Sequence, residues 1–191
     1  MVLAAAGGLP ILVARPSVVV GHTRLGVAPS ASLFWYYRAL AALAAGPFNV
    51  DTHRDIVPVD YVAEAILFLL RLEHPGFVRY HISAGARCRS PWRDILSGFH
   101  GGAGWRTVTP SDLGNMYDEI RLLVQSDHEA NLLARGLRAC AEFGSLGVDH
   151  FDNQRLIGEG FGHPPHFTDY LPRCIESSGT ASIFAQMVDE S

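Results

Sequence analysis

The side chains suited to catalysis or ligation here are nine histidines, three cysteines and fifteen basic residues, all of them arginine. No lysine occurs anywhere in the chain, so no chemistry that needs an amine side chain is open to it. His163 and His166 stand three apart with His150 nearby, a spacing that invites a metal site. Pro164 and Pro165 separate the first two, and no cysteine or acidic set completes a ligand group, so these read as loop histidines and no metal is expected. A Ser-His-Asp hydrolase needs a G-x-S-x-G turn, which Gly144-Ser145-Leu146-Gly147 does not supply. Gly101-Gly102-Ala103-Gly104 lacks the lysine and the spacing of a phosphate loop and reads as a flexible turn. Cys88, Cys140 and Cys174 are odd in number and scattered, neither a disulfide framework nor a C-x-x-C site, which fits a reducing cytoplasm. The arginines that suit an anion are Arg24 and Arg54; a guanidinium pairs with phosphate or carboxylate, and it is equally at home in solvent.

These residues need a scaffold, and the stretch that organises it is Leu9 to Gly21, LPILVARPSVVVG. Ile11 to Ala14 is a run of apolar residues behind a Gly-Gly-Leu-Pro turn, which predicts a buried strand of a parallel α/β sheet, covered on both faces. Pro16 cannot donate to a ladder, so the strand is expected to end at Arg15. The loop that follows lies at the carboxyl edge, where open α/β sheets bind ligands; the plainer alternative is a core strand and an ordinary turn. A parallel strand needs a neighbour, and none precedes it. The expectation is therefore a piece of a larger protein whose missing part is N-terminal.

Composition suits a folded chain of 191 residues, 48% hydrophobic and 18% charged. A net charge of −4 gives no electrostatic reason to expect nucleic acid as a partner. No apolar run reaches the roughly eighteen residues of a membrane span. Ser30 or Ser32 is positioned to cap a helix reaching about Ala45, ended by Gly46-Pro47. Short strands are expected near 56–59 and 79–83. Asp60 reads as the cap of a helix over Tyr61 to Leu72, and Ser90-Pro91 as the start of another. Asp112 to Phe143 reads as mostly helical with a break near Ser126-Asp127. A short helix or turn is expected within Phe151 to Phe161, and a last main helix over His166 to Ser177.

Three segments, LPILVARPSVVVGHTRLG, RDIVPVDYVAEAI at Arg54 to Ile66 and YHISAG at Tyr80 to Gly85, follow one another in a familiar order and spacing. Together they resemble the C-terminal half of the extended short-chain dehydrogenase/reductases, closest to the fatty-acyl and thioester reductase branch with the male sterility domains. The fold this implies is α/β: a C-terminal remnant of a Rossmann-like parallel sheet over residues 1–29, then a mainly helical substrate-binding region over 30–191.

In that family a tyrosine followed four residues later by a lysine supplies the acid, and a glycine-rich loop holds the dinucleotide; both lie N-terminal to the RPS loop. Neither is present, so the resemblance implies no catalytic residue in this chain. It implies contacts to the nicotinamide end of NAD or NADP from the backbone of Pro16, Ser17 and Val18. His22, Thr23 and Arg24 would border the substrate cleft. Arg54-Asp55 is similar to the Arg-Asp pair that holds a diphosphate in sugar-nucleotide epimerases, but Asp60 follows one position too early for that, so Arg54 is carried only as a substrate-binding candidate. The whole enzyme would move a hydride between a nicotinamide and a carbonyl, an alcohol or an acyl thioester. This chain alone is expected to be inactive, or else to be a binding module that complements a separate nucleotide-binding half.

Overall fold

The computed structural model describes residues 11–28, 33–73, 76–99, 104–144 and 150–188. The opening apolar run forms β1 (Ile11–Pro16), and after Ser17 the chain continues as β2 (Val18–Val19). Helix α1 (Phe34–Leu43) has no side-chain cap at Leu33, and the expected caps Ser30 and Ser32 lie outside the described residues. It stops before the predicted Gly46-Pro47: Ala44 turns left-handed at φ 47°, freeing β3 (Ala45–Gly46) to pair elsewhere. β4 (His53–Arg54) and β5 (Ile56–Val57) flank Asp55, and α2 (Val59–Leu69) follows. Asp60 does not cap α2. It sits inside the first turn and turns its carboxylate to Thr23.

β6 (Phe77–Ile82) starts two residues before the predicted strand, and α3 (Gly85–Cys88) leaves it. Ser90 is not a helix cap either. It lies in β7 (Ser90–Pro91), ahead of α4 (Trp92–Gly98), and its Oγ accepts the N–H of Phe167 at 3.1 Å. Beyond β8 (Arg106–Thr107), Thr109 forms a capping box with Asp112 that starts α5 (Pro110–Asn115). α6 (Tyr117–Arg121) and α7 (Asp127–Gly144) reproduce the expected helical stretch and its break. α8 (Gln154–Gly158), α9 (Phe167–Ser178) and α10 (Ile183–Val188) complete the described chain.

β1 has the neighbour that seemed to be missing. β6 lies parallel to it in unbroken register from Ile11 opposite Phe77 to Pro16 opposite Ile82. The strand runs through Pro16 for a geometric reason. Ile11 N–H donates to Gly76 O at 3.2 Å and Ser17 N–H to Ile82 O at 3.0 Å. In a parallel ladder alternate residues face one neighbour, so the odd-numbered amides meet β6 and the absent N–H of Pro16 falls on the other edge. At Ser17 the strand changes partners: β2 pairs parallel with β5. β5, α2 and β6 thus form a crossover unit flanking one continuous strand, the parallel arrangement of an α/β sheet. Enclosure is less than predicted: Ile11 to Ala14 are half-buried, and Arg15 and Pro16 are exposed. β3 pairs with β8 and β4 with β7.

Two apolar cores result. The smaller joins α2, β6 and α8 through Val62, Leu69, Tyr80, Ile82 and Leu156, with Leu12 and Ala14 against it. The larger is helical and centres on Phe34, Leu40, Trp92, Leu137 and Phe167. Trp92 is fully buried among Tyr37, Phe48 and Trp105, at ring separations of 5.7, 5.9 and 5.5 Å. The molecule is mixed α/β, a short-stranded Rossmann-like remnant joined to a helical region.

A reversal at His22 to Gly26 ties the two parts together. His22 and Gly26 exchange backbone hydrogen bonds of 2.7 and 2.9 Å, and Val27 N–H donates to Ser177 Oγ at 2.7 Å. Gly26 has φ 62°, and a Cβ there would collide with Ser177 Oγ and the Arg173 carbonyl. Gly26→Ala is expected to lose at least about 1 kcal/mol from the left-handed backbone alone, with the collision added. Urea denaturation measures it; an unchanged midpoint would show that α9 does not hold this turn.

Candidate functional site

A cavity of about 790 Å³ opens where β1 passes into β2. Pro16, Ser17 and Val18 form one wall, Tyr36 and Tyr37 of α1 another. His53, Arg54 and Ile56 supply a third, and Ala139, Cys140 and Phe143 at the end of α7 a fourth. Phe48 and Phe151 complete the lining named here. The lining is mostly apolar with a few polar groups, the usual make-up of a small-molecule site.

Each wall follows from the local sequence. α1 opens with four large aromatics, Phe34 to Tyr37, all buried, so the helix is wrapped on every side and Tyr36 has to face something. Pairing of β4 with β7 fixes Arg54, whose guanidinium carbon stands 3.5 Å from the Phe48 ring centroid. Burial pushes the Tyr36 phenol far above its ordinary value, Tyr37 and Cys140 push the same way, and Arg54 only partly offsets them. Burial also raises Tyr37 and the Cys140 thiol. All three therefore stay protonated at neutral pH. Tyr36 Oη and Ser17 Oγ are inaccessible to solvent and have no hydrogen-bond partner among the described residues.

Asp55 holds this arrangement. Its carboxylate accepts the N–H of Ala84 at 2.8 Å and of Phe151 at 2.9 Å, and Ser83 Oγ lies 2.8 Å away. Ser83 Oγ accepts the N–H of Gly85 at 2.9 Å, and Asn153 Nδ2 donates to Ser83 O at 2.8 Å. Gly85 has φ 60°, and a Cβ there would meet Asn153 Oδ1 at 2.5 Å. The SAG of the third sequence segment is thus a turn built round the Asp of the second.

Of the residues singled out from sequence, Pro16, Ser17, Val18 and Arg54 line one cavity. His22, Thr23 and Arg24 do not line it. Thr23 donates to Asp60 from its N–H at 3.1 Å and its hydroxyl at 2.5 Å, His22 Nδ1 accepts from Arg24 N–H at 3.1 Å, and Arg24 is exposed. Pro16 has no N–H, and that of Ser17 is spent on Ile82. Residues 101–103 of the glycine-rich turn and 145–147 of the Gly-Ser-Leu-Gly segment lie outside the described residues. Among the described residues no three His, Cys, Asp or Glu side chains gather as a metal site, and no helix is long and apolar enough to cross a membrane. Sequence reasoning noted Asp55 only as the partner of Arg54 in an Arg-Asp pair and gave it no role, and it assigned no site role to Tyr36, Cys140 or Asn153. The available signal for Asp55 was an acid between two short strands, His53–Arg54 and Ile56–Val57; for Tyr36 it was a polar-tipped ring in an otherwise buried turn.

Residues 1–66 match the family model of the male sterility protein, an NAD-binding domain. Over 76 residues the chain is 33% identical to the aldehyde reductase lnbA of Aspergillus flavus. Both likenesses are to reductase-type proteins, and both cover only part of the chain. The fold is similar to that of the terminal R domain from the myxalamid PKS-NRPS biosynthetic pathway, with a TM-score of 0.59 at 19% identity over 90% of this chain. The chain spans 44% of that domain and 8% of the curated relative.

Two contacts of the site are open to test. Removing the hub with Asp55→Ala is expected to cost about 2 kcal/mol and to speed hydrogen exchange at the Ala84 and Phe151 amides; unchanged exchange there would refute the hub. At Asp60, burial pushes the carboxyl up, but the two bonds from Thr23, with its own backbone N–H and His22, together outweigh it and hold it below its ordinary 3.8. The stability this supplies is complete above 3.8 and is lost as pH falls through the lower folded value. Asp60→Asn is expected to lose about 1 kcal/mol at neutral pH, with the gap to wild type closing in urea melts below about pH 4. A gap that persists into stronger acid would argue against the Thr23 pairing.

Proposed function

We propose that this chain forms the substrate side of the cleft of an NAD(P)-dependent reductase, with Pro16, Ser17 and Val18 at the nicotinamide end and Arg54 toward the substrate. The observation that carries it is that one cavity gathers the β1–β2 junction, Arg54 and two protonated tyrosines inside an apolar lining. When bound, a nicotinamide supplies the hydride. The chain's own residues line the cleft with the rings of Phe48, Phe143 and Phe151 and offer a cation at Arg54. The substrate is a small carbonyl compound or an acyl thioester. With no lysine the chain has no Tyr-x-x-x-Lys dyad, so by itself it binds and does not turn over. His22, Thr23 and Arg24 belong to the rim of the cleft, beyond the cavity wall.

A second reading has the chain working as a subunit that complements a separate nucleotide-binding half. It is favoured by the edge of β1 away from β6, which no strand among the described residues pairs, and by exposed Ile66 and Leu67 on α2, Leu70 just after it and Phe77 on β6. NADPH titrated to millimolar concentration is expected to shift the amide resonances of Ser17, Val18 and Arg54, with no NADPH oxidation when octanoyl thioester is added. Shifts confined elsewhere, or turnover by the isolated chain, would overturn the first reading. Turnover that appears only on mixing with a Rossmann half bearing Tyr-x-x-x-Lys would select the second.

A further inference from the structure

His22 is half-buried in the turn that joins the α/β part to α9, and its Nδ1 has neighbours of two kinds. The N–H groups of Arg24 and Leu25 donate to it at 3.1 and 3.4 Å. The Asp60 carboxylate, which already accepts the N–H and hydroxyl of Thr23, stands 3.6 Å away. Backbone amides only donate, so Nδ1 here is an acceptor and the ring is neutral, with its proton on Nε2. An imidazolium donates from both nitrogens. A protonated Nδ1 therefore loses both amides and gains a partner in Asp60. The other titratable groups about the turn leave that exchange to Asp60. Tyr170 and Cys174 of α9 stand against Gly21, and burial keeps both protonated. Arg173, whose carbonyl lies beside Gly26, pairs with Glu176 at 2.6 Å. Arg24 in the turn and Glu64, one helical turn along α2 from Asp60, are exposed.

We propose that His22 makes this turn a proton-operated latch, closed while Nδ1 accepts the amides of Arg24 and Leu25 and released when a protonated Nδ1 turns to Asp60. The proton comes from solvent, and only hydrogen bonds change. Histidine ordinarily changes charge between about pH 5 and pH 8. Asp60 stays a carboxylate across that range, because it is held below its ordinary 3.8. Release is transmitted along the chain. His22 and Gly26 exchange backbone hydrogen bonds, and Val27 N–H, the next along, donates to Ser177 Oγ of α9. Gly26 lies so close to Ser177 and the Arg173 carbonyl that a change in the path of the turn has to move it against α9. Acid thus loosens the junction of the two parts, and neutral pH holds it. The inference does not depend on what the cavity binds.

NMR titration of the full chain from about pH 8 to about pH 5 tests this. At the upper end the ring-nitrogen shifts of His22 are expected to place its proton on Nε2. On acidification the ring and the amides of Arg24 and Leu25 are expected to move with one midpoint, the amide protons upfield. Hydrogen exchange at Val27, corrected for the intrinsic effect of pH, is expected to speed by roughly three- to tenfold over the same step, the worth of one hydrogen bond. His22→Gln is expected to show no step at any of the three amides. Asp60→Asn is expected to move the midpoint to lower pH. A proton on Nδ1 at the upper end, a ring that stays neutral throughout, or a ring that titrates without Arg24 and Leu25 would each overturn the proposal. So would the same step in His22→Gln, or an unmoved midpoint in Asp60→Asn. A response confined to Arg24 and Leu25, with Val27 unchanged, would show a ring movement that releases nothing and overturn the latch. Should either variant fail to fold, the wild-type titration decides alone.

Discussion

Asp55 is the fixed point of the molecule. One carboxylate meets the amides of Ala84 and Phe151 and the hydroxyl of Ser83, residues 28 to 96 positions away in sequence. Hydrogen bonds to a charged acceptor are worth more than neutral ones, and three on one group lock its geometry. The neighbours of Asp55 in sequence are Arg54 and Ile56, both on the cavity wall, and Phe151 is itself part of the lining. Asp55, itself on the lining, thus ties the walls of the cavity together.

The second constraint is the change of partner at Ser17. The strand pairs with β6 along β1 and with β5 along β2. Pro16 suits this place because its nitrogen points away from β6, and Ser17 because its amide closes the last bond to Ile82. A corner made this way has few amides to spare.

How much of this was legible in the sequence depends on the range of the forces involved. Local signals were read well. The break between α6 and α7 and the last long helix follow from helical periodicity within a few residues. Strand β1 was found but misjudged, because its partner β6 lies some sixty residues on and no local pattern announces it. Asp60 and Ser90 look like helix caps by position, yet both spend their side chains on distant partners, Thr23 and the N–H of Phe167. Tertiary hydrogen bonds won over local capping in each case. In the site, Ser17 and Arg54 stood out through their motifs. Tyr36 did not, since its place on the cavity wall is set by packing, which no spacing reveals.

Helix α7 separates fold from function along its own length. Ala130, Leu133, Ala134, Leu137 and Ala141 recur at helical spacing and form its buried stripe. Ala139, Cys140 and Phe143 line the cavity but lie off that stripe, and Phe143 is 74% exposed. A substitution on the stripe opens or overfills the core, whereas one off it changes the cavity wall and leaves the packing that holds the helix intact. The same logic does not extend to α1, where Phe34 to Tyr37 are all buried and Tyr36 serves core and cavity at once. Related chains can therefore change the cavity shape at the end of α7 with little effect on folding. A change at Tyr36 alters the core and the cavity wall together.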